Sequence, residues 1–211
     1  MVLQYLRVDD WPMIELIIQN LVFTGLAYGF GSIPFGLIIT KIGGGGDIRQ
    51  IGSGNIGATN VLRTGNKTLA VLTLVADASK GAIAVLVAKQ YGDPASAALA
   101  AIFVVIGHCF PVWLKFNGGK GVATSLAVLA SLDIRLGGLF VATWLGTAFV
   151  TRYSSLSALL AMLACVAGGF VWLDTMLAHV ATILLGAIVW MRHHANIERL
   201  LTGTESKIGK K

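Results

Sequence analysis

The sequence predicts an all-α, polytopic integral membrane protein of about seven transmembrane or partly spanning helices. Five are full spans and two form a short helical pair, with the N-terminus outside and the C-terminus cytoplasmic. Three observations lead there. Of 211 residues, 55% are hydrophobic and 12% charged, and the mean hydropathy is +0.78, far outside the range of a soluble domain. The apolar residues fall in runs near the length of about 20 residues that a bilayer requires. Lysine and arginine gather in alternate loops.

The first run, residues 14 to 40, opens among the acidic residues Asp9, Asp10 and Glu15 rather than after a basic segment. It is too long for the apolar part of a signal peptide and stays as a span. Ser32-Ile33-Pro34 within it reads as a kink, because proline removes an intrahelical hydrogen bond. Residues 68 to 90, 95 to 114, 155 to 172 and 174 to 191 supply four more spans. Residues 121 to 132 and 136 to 150 are shorter and are separated by Asp133-Ile-Arg135. They form two tilted spans or a re-entrant pair, and either choice returns the chain to the same side. Lys41, Arg49, Arg63, Lys67, Lys115, Lys120, Arg152, Arg192, Arg199, Lys207, Lys210 and Lys211 fall on one side, taken as cytoplasmic. Arg7, Lys89 and Arg135 fall on the other, and Lys80 sits within a helix. Cys109 and Cys165 lie in apolar runs without ligand-like spacing, so free buried thiols are expected, with no disulfide framework and no metal site. No repeat or linker divides residues 1–211, which read as one domain with a variable segment at 1–11 and a basic tail at 203–211.

Residues 52 to 63 form a glycine-spaced polar cassette. Gly52, Gly54 and Gly57 allow positive φ, which draws successive N–H groups toward one concave point, a nest for an anion. Ser53, Asn55, Thr59 and Asn60 add side-chain donors, and Arg63 adds a cation able to grip phosphate with two parallel bonds. A flexible connector explains the glycines but not this polar series. The literal G-x-G-x-x-G match, with Asp77 twenty residues past Gly57, is not a dinucleotide fingerprint, since no strand precedes it and Asp77 lies in an apolar helix.

Gly118-Gly119-Lys120-Gly121 precedes the short apolar run, and Gly121 stands where a Walker loop needs Ser or Thr. Glycines at a helix start expose N–H groups near the positive dipole end, and Lys120 adds a full charge. Alone, the motif reads equally as a positive-inside anchor; beside the first cassette it points to phosphate. Asp77 and Lys80, three apart on one helical face, read as a structural intrahelical pair, with support of the site as the alternative. After the last span, His193 and Asn196 share a face while His194 points elsewhere, and a histidine accepts protons near neutral pH. An interfacial polar cluster is the competing reading. His108 and His179 read as structural, and Ser155 is a further donor candidate beside Arg152.

The strings Gly31-Ser-Ile-Pro-Phe-Gly36, Asp47-Ile-Arg49, residues 52 to 63, Asp77-x-x-Lys80-Gly81, Gly107-His108-x-x-Pro111, Gly118-Gly-Lys-Gly-Val-Ala-Thr124 and Arg192-His-x-x-Asn-Ile-x-Arg-Leu200 together resemble the bacterial acyl-phosphate:glycerol-3-phosphate acyltransferase family, PlsY. The match runs from about residue 31 to residue 205. The run of glycines at 43 to 46 is richer than the family leads one to expect. The resemblance implies transfer of a fatty acyl group from acyl phosphate to the sn-1 hydroxyl of glycerol-3-phosphate. Lysophosphatidic acid and phosphate are the products, in the first step of bacterial phospholipid synthesis at the cytoplasmic (inner) membrane. It implies acyl phosphate, glycerol-3-phosphate and membrane lipid as partners, no cofactor, no metal and no nucleic acid; it implies no oligomeric state. The family's three cytoplasmic motifs map onto Ser53 with Arg63, onto the loop ending at Lys120 and Gly121, and onto His193 with Asn196 and Glu205.

Chemistry agrees with that reading. Both substrates carry phosphate, and the donor also carries a chain that partitions into lipid. No histidine has Asp five positions later, the pattern of soluble-domain glycerolipid acyltransferases, so an activated mixed anhydride fits as donor. Ser53, Arg63, Lys120, His193 and Asn196 are the expected catalytic residues. Gly52, Ser53, Gly54, Asn55, Thr59, Arg63, Gly118, Gly119, Lys120, Gly121 and Ser155 are expected on phosphoryl oxygens. Asp77, Lys80 and Glu205 are expected as support. The acceptor's proton goes to His193 or to a substrate phosphate, both routes open. A transporter of a phosphorylated solute is the rival class, but transporters place their polar sites at the midplane of repeated halves, whereas these motifs share one face.

Overall fold

The computed structural model describes residues 11–209. The variable segment before Trp11, with Arg7, Asp9 and Asp10, and the tail residues Lys210 and Lys211 lie outside the described residues. Among the described residues there are ten α-helices and no strand: α1 (Trp11–Gly31), α2 (Phe35–Ile42), α3 (Ala58–Val61), α4 (Lys67–Tyr91), α5 (Pro94–Cys109), α6 (Val122–Leu132), α7 (Ile134–Thr151), α8 (Ser154–Trp172), α9 (Met176–Arg192) and α10 (His194–Leu201).

Local chemistry sets the boundaries. Asn66 accepts from the Leu69 N–H at 3.1 Å to start α4. Asp93 accepts from Ser96, with Pro94 in the first turn of α5. Asp133 starts α7 and Thr175 starts α9 in the same way, each satisfying an N–H that the helix itself leaves unpaired. The Ser32-Ile33-Pro34 kink is a full break, and α1 and α2 together form one broken span, Pro12–Ile42.

Spans at Lys67–Tyr91, Pro94–Leu114 and Ser154–Trp172 match those read from the sequence. One expectation is corrected. The segment expected at 136 to 150 as a short element is α7, whose 18 residues suffice to cross; Asp133-Ile-Arg135 opens the helix instead of interrupting it, because Asp133 accepts from the Arg135 N–H. The last span, expected at 174 to 191, is α9, 17 residues long and followed by α10 after a bend of 60°. The short pair therefore resolves unequally, since α6 has only 11 residues.

The length of α6 follows from where it starts. Its Thr124 carbonyl lies against Gly81, where a Cβ would meet it at 2.5 Å. That contact is 14 residues, or about 20 Å, along α4 from Lys67. The loop between α5 and α6 therefore descends into the bundle, and α6 covers only the remaining depth. At its far end Lys89 donates to the Ser131 and Leu132 carbonyls at 2.7 and 3.0 Å, tying the ends of α4 and α6.

α1 packs on α5, α4 on α6, α7 on α8, and α9 on α5 and α8, around Ala101, Val104, Val105, Leu129, Met162, Leu185 and Val189. Outward faces of α1, α4 and α7 present Leu, Ile, Val and Phe, as lipid contact requires. The alternating helices bring residues 43–66, the recessed loop at 110–121, the turn at 152–153 and residues 193–209 to one end of the bundle.

Candidate active site

The cassette is organised by Asn60, which is 2% exposed. Its amide donates to the carbonyls of Ile48, Ile51 and Asn55 at 3.1, 2.9 and 2.8 Å, and its Oδ1 accepts from the Ser53 N–H at 3.0 Å. Ile48, Ile56, Val61 and Leu69 form a small apolar cluster below. Gly52 and Gly54 adopt φ of +56° and +69°. The expected nest is corrected in its mechanism. The Ser53 N–H is committed to Asn60, the Gly54 N–H goes to the Ile51 carbonyl at 3.0 Å, and Gly57 is extended at the start of α3. What the loop offers outward is side chains. Ser53, Thr59 and Arg63 are exposed and Asn55 is half-buried, and the Ser53, Asn55 and Thr59 side chains have no hydrogen-bond partner among the described residues. Gly52 serves by its missing side chain, since a Cβ there would meet Arg63 Nη1 at 2.9 Å.

The recessed loop is held from two directions. The N–H groups of Gly118 and Gly119 donate to the Cys109 and His108 carbonyls, both at 3.0 Å. Their own carbonyls accept from Arg192 at 2.9 and 3.0 Å, and that guanidinium lies over the Phe110 ring at 5.2 Å. Gly118 and Gly119 therefore offer no N–H to a phosphate, contrary to expectation. The free donors lie one step on: α6 starts at Gly121 with no side-chain cap, so its positive end points toward Lys120.

Lys120 Nζ donates to Asn196 Oδ1 at 2.5 Å, and Asn196 Nδ2 donates to Glu205 Oε1 at 2.6 Å. Glu205 also accepts from Ser155 Oγ at 2.7 Å and from Arg199 Nε at 2.6 Å. Ser155 is thus a brace for Glu205 instead of a phosphate donor, and Asn196 links Lys120 to Glu205 with both ends of its amide engaged. Glu205 thus accepts from three side chains, those of Ser155, Asn196 and Arg199. Burial lowers the Lys120 pKa to about 8; Glu205 opposes the shift, while Arg199, Arg63 and Arg192 add to it. These side chains form one electrostatic neighbourhood.

His193 caps the end of α9 and is 2% exposed. Its Nδ1 lies 2.7 Å from the Val189 carbonyl, which can only accept, so Nδ1 carries the hydrogen and Nε2 keeps its lone pair. Burial holds its pKa down to about 4, so the ring is neutral at pH 7. His194 is exposed, as its place on the other face required. Residues 205–208 close the group: Arg63 donates to Ser206 Oγ at 2.5 Å, Lys207 lies over the Tyr153 ring at 5.3 Å, and Arg152 and Ile208 exchange bonds of 2.7 and 2.9 Å. Deeper in the bundle, Asp77 and Lys80 form the expected pair at 2.9 Å. Cys109 and Cys165 are free and buried.

A family profile described as glycerol-3-phosphate acyltransferase matches residues 21–203. The chain belongs to the glycerol-3-phosphate acyltransferase family. It is 51% identical over 200 residues to a glycerol-3-phosphate acyltransferase of Roseobacter denitrificans, covering 94% of this chain and 100% of that one. It is 54% identical over 197 residues to one of Brucella ovis, covering 93% and 95%. The crystal structure of PlsY (YgiH), an integral membrane glycerol 3-phosphate acyltransferase, in its glycerol 3-phosphate form has a TM-score of 0.86 at 38% identity, covering 90% of this chain and 96% of that one. Its lysophosphatidic acid form has a TM-score of 0.84 at the same identity, covering 90% and 95%. The family read from the motifs and the multi-pass helical fold are both borne out.

Within this acyltransferase fold, three residues organise the site unforeseen. Asn60 was grouped with the outward donors, although its position between Thr59 and Val61, on the inner face of a helical turn, was the available signal. Arg192 counts in the sequence as a cytoplasmic charge that opens the last motif, and nothing in its spacing reveals that it reaches back to residues 118 and 119. Ser206 carried no signal at all. Glu205→Ala leaves Ser155, Asn196 and Arg199 without their common acceptor, so a loss of about 2 kcal/mol is expected. Thermal unfolding in detergent should show the midpoint lowered by about 5 °C.

Proposed function

We propose that this chain transfers a fatty acyl group from acyl phosphate to the sn-1 hydroxyl of glycerol-3-phosphate, releasing lysophosphatidic acid and phosphate. The observation that carries the reading is the meeting of Arg63, Lys120 and His193 in one neighbourhood, where Arg192 and Arg199 add positive charge and Glu205 is the opposing carboxylate. Such a surplus calls for anionic ligands. An apolar cleft of about 310 Å³ between α8 and α9, lined by Met162, Leu163, Val166, Ile183, Gly186, Ala187 and Trp190, runs toward the same end. In this reading it takes the acyl chain, with Trp190, three residues before His193, lining its basic end.

In this reading Ser53, Asn55, Thr59 and Arg63 bind one phosphate. Lys120, with the first turn of α6 beyond Gly121, binds the other and stabilises charge on the carbonyl and leaving group. Substrate phosphate displaces Ser206 from Arg63. The acceptor hydroxyl attacks the acyl carbon, a C–O ester bond forms, and the acyl–phosphate C–O bond breaks with its electron pair leaving on phosphate. The Nε2 lone pair of His193 accepts a hydrogen bond from the hydroxyl and aims it. A pKa near 4 makes that imidazole a weak base, which favours a substrate phosphate as the final proton acceptor. Asn196 and Glu205 orient Lys120. The chain acts as one domain in the bacterial inner membrane, its basic end cytoplasmic and its N-terminus outside. The distribution of Lys41, Arg49, Lys115 and Arg152 against Lys89 and Arg135 supports that orientation.

Purified protein given acyl phosphate and glycerol-3-phosphate should yield lysophosphatidate by mass spectrometry; equal yield from acyl-CoA would sink the donor assignment. Arg63→Ala and Lys120→Ala should each lower kcat/KM by about 100-fold or more, and wild-type kinetics in both would refute the phosphate map. Lys120 is charged below its pKa of about 8, so activity should fall as pH rises through that value. In Lys120→Arg, whose guanidinium stays protonated, the residual activity should lose this alkaline limb. Gly186→Leu fills the cleft and should shift the donor preference toward shorter chains, measured across an acyl-phosphate series. For orientation, an impermeant thiol reagent applied to intact cells should label Ile134→Cys and spare Thr204→Cys.

A further inference from the structure

Directly beneath the recessed loop lies a charged group that the proposed reaction does not touch. Asp77 and Lys80 of α4 and His108 of α5 are 3%, 1% and 4% exposed. Lys80 Nζ contacts Asp77 Oδ1 at 2.9 Å and donates to the Ile33 carbonyl at 3.0 Å, in the break between α1 and α2. His108 Nδ1 faces Asp77 Oδ1 at 3.5 Å and has no closer hydrogen-bond partner among the described residues. Ionisable groups at such depth are costly, and where they occur they serve a site.

The other edge of the imidazole faces the loop. A Cβ built on Gly119 would fall on His108 Nε2, with Cε1 at 2.6 Å and Cδ2 at 2.9 Å, so the nearest three atoms all belong to that ring. The Gly119 N–H is bound by the carbonyl of the same histidine. Beyond Lys120, Thr124 Oγ1 donates to the Asp77 carbonyl at 2.9 Å. Lys120 is thus flanked by two attachments to one buried group: the residue before it rests on the His108 ring, and the helix after it hangs from Asp77.

We propose that His108, oriented by the Asp77–Lys80 pair, is a positioning residue that fixes the height of the Gly119 backbone and thereby the reach of Lys120. The inference rests on the reading of Lys120 as the anion contact of the acyltransferase site. Removing the ring lets the backbone at residue 119 settle on its Arg192 contact and admits water beneath Lys120, whose other charged and polar neighbours, Asn196, Glu205, Arg199, Arg63, Arg192 and His193, are all retained. A loop displaced by about 1 Å costs up to about 100-fold in rate.

The test uses the full-length enzyme in detergent, with elution profile and thermal midpoint recorded for every variant. His108→Ala should lower kcat/KM by about 10-fold to 100-fold and move the alkaline limb of the pH profile upward, as a better-solvated ammonium holds its proton longer. A merely structural histidine moves neither the limb nor the rate once the folded fraction is counted. Gly119→Ala should be severely impaired alone, and His108→Ala with Gly119→Ala should be no worse than His108→Ala, because the methyl occupies the space the ring has left. If His108→Ala does not assemble, His108→Asn, which keeps a polar group toward Asp77, carries the same expectations. Wild-type kcat/KM and an unmoved limb in a folded His108 variant, or a double variant as impaired as the product of both singles, would overturn the proposal. Lys120→Ala measured in parallel separates the failures: if it is also wild-type, the phosphate site itself is misread; if it alone is inactive, only the positioning role falls.

Discussion

Lipid offers a backbone no hydrogen bonds, and that constraint shapes the irregular segments within the bundle. Where α1 and α2 part, the Ile33 carbonyl is taken by Lys80. Where the chain leaves α5 and descends, the polar groups of Gly118 and Gly119 are taken by two α5 carbonyls and by Arg192. The cassette, at the bundle end, is held by the Asn60 side chain, which takes three carbonyls and the Ser53 N–H. Once these obligations are met, few backbone donors remain for a ligand. In the proposed reading anion recognition therefore passes to long cationic side chains and to the uncapped start of α6.

That transfer explains what the sequence made legible and what it hid. Apolar runs revealed the helices, and the paired carboxylate and lysine at 77 and 80 revealed their own contact, because both signals are local. Glycine spacing at 52 to 57 and 118 to 121 correctly marked loops that require unusual backbone, yet it says nothing about which carbonyl an N–H will meet. The partners of Gly118 and Gly119 lie at residues 108, 109 and 192, and only the tertiary fold brings them there. The length of α7 was masked by Asp133 and Arg135, which look like an interruption and act as a start. Ser155 was placed at the correct end with the wrong partner, since a hydroxyl beside a basic turn looks the same whether it faces phosphate or Glu205.

The site's electrostatics are arranged economically. Glu205 touches Asn196, Ser155 and Arg199, so one carboxylate joins α8, α10 and the segment after α10. Through Asn196 it also steadies Lys120. A second carboxylate at this position would weaken the positive field of Lys120, Arg63, Arg192 and Arg199, whereas none would leave Lys120 and Arg199 repelling without restraint. The depth of the loop matters equally: a lysine at the bundle rim would be well hydrated, and burial is what brings its titration near the physiological range.

Residues 205–208 fasten Arg63, Ser155, Tyr153 and Arg152 together, yet the ribosome makes them only after every helix has been synthesised. A nascent chain with all its spans inserted still lacks the clasp that joins the ends of the cassette, α8 and α10. The clasp therefore closes only after the described helices have been made, and a chain halted before residue 205 carries those helices without it.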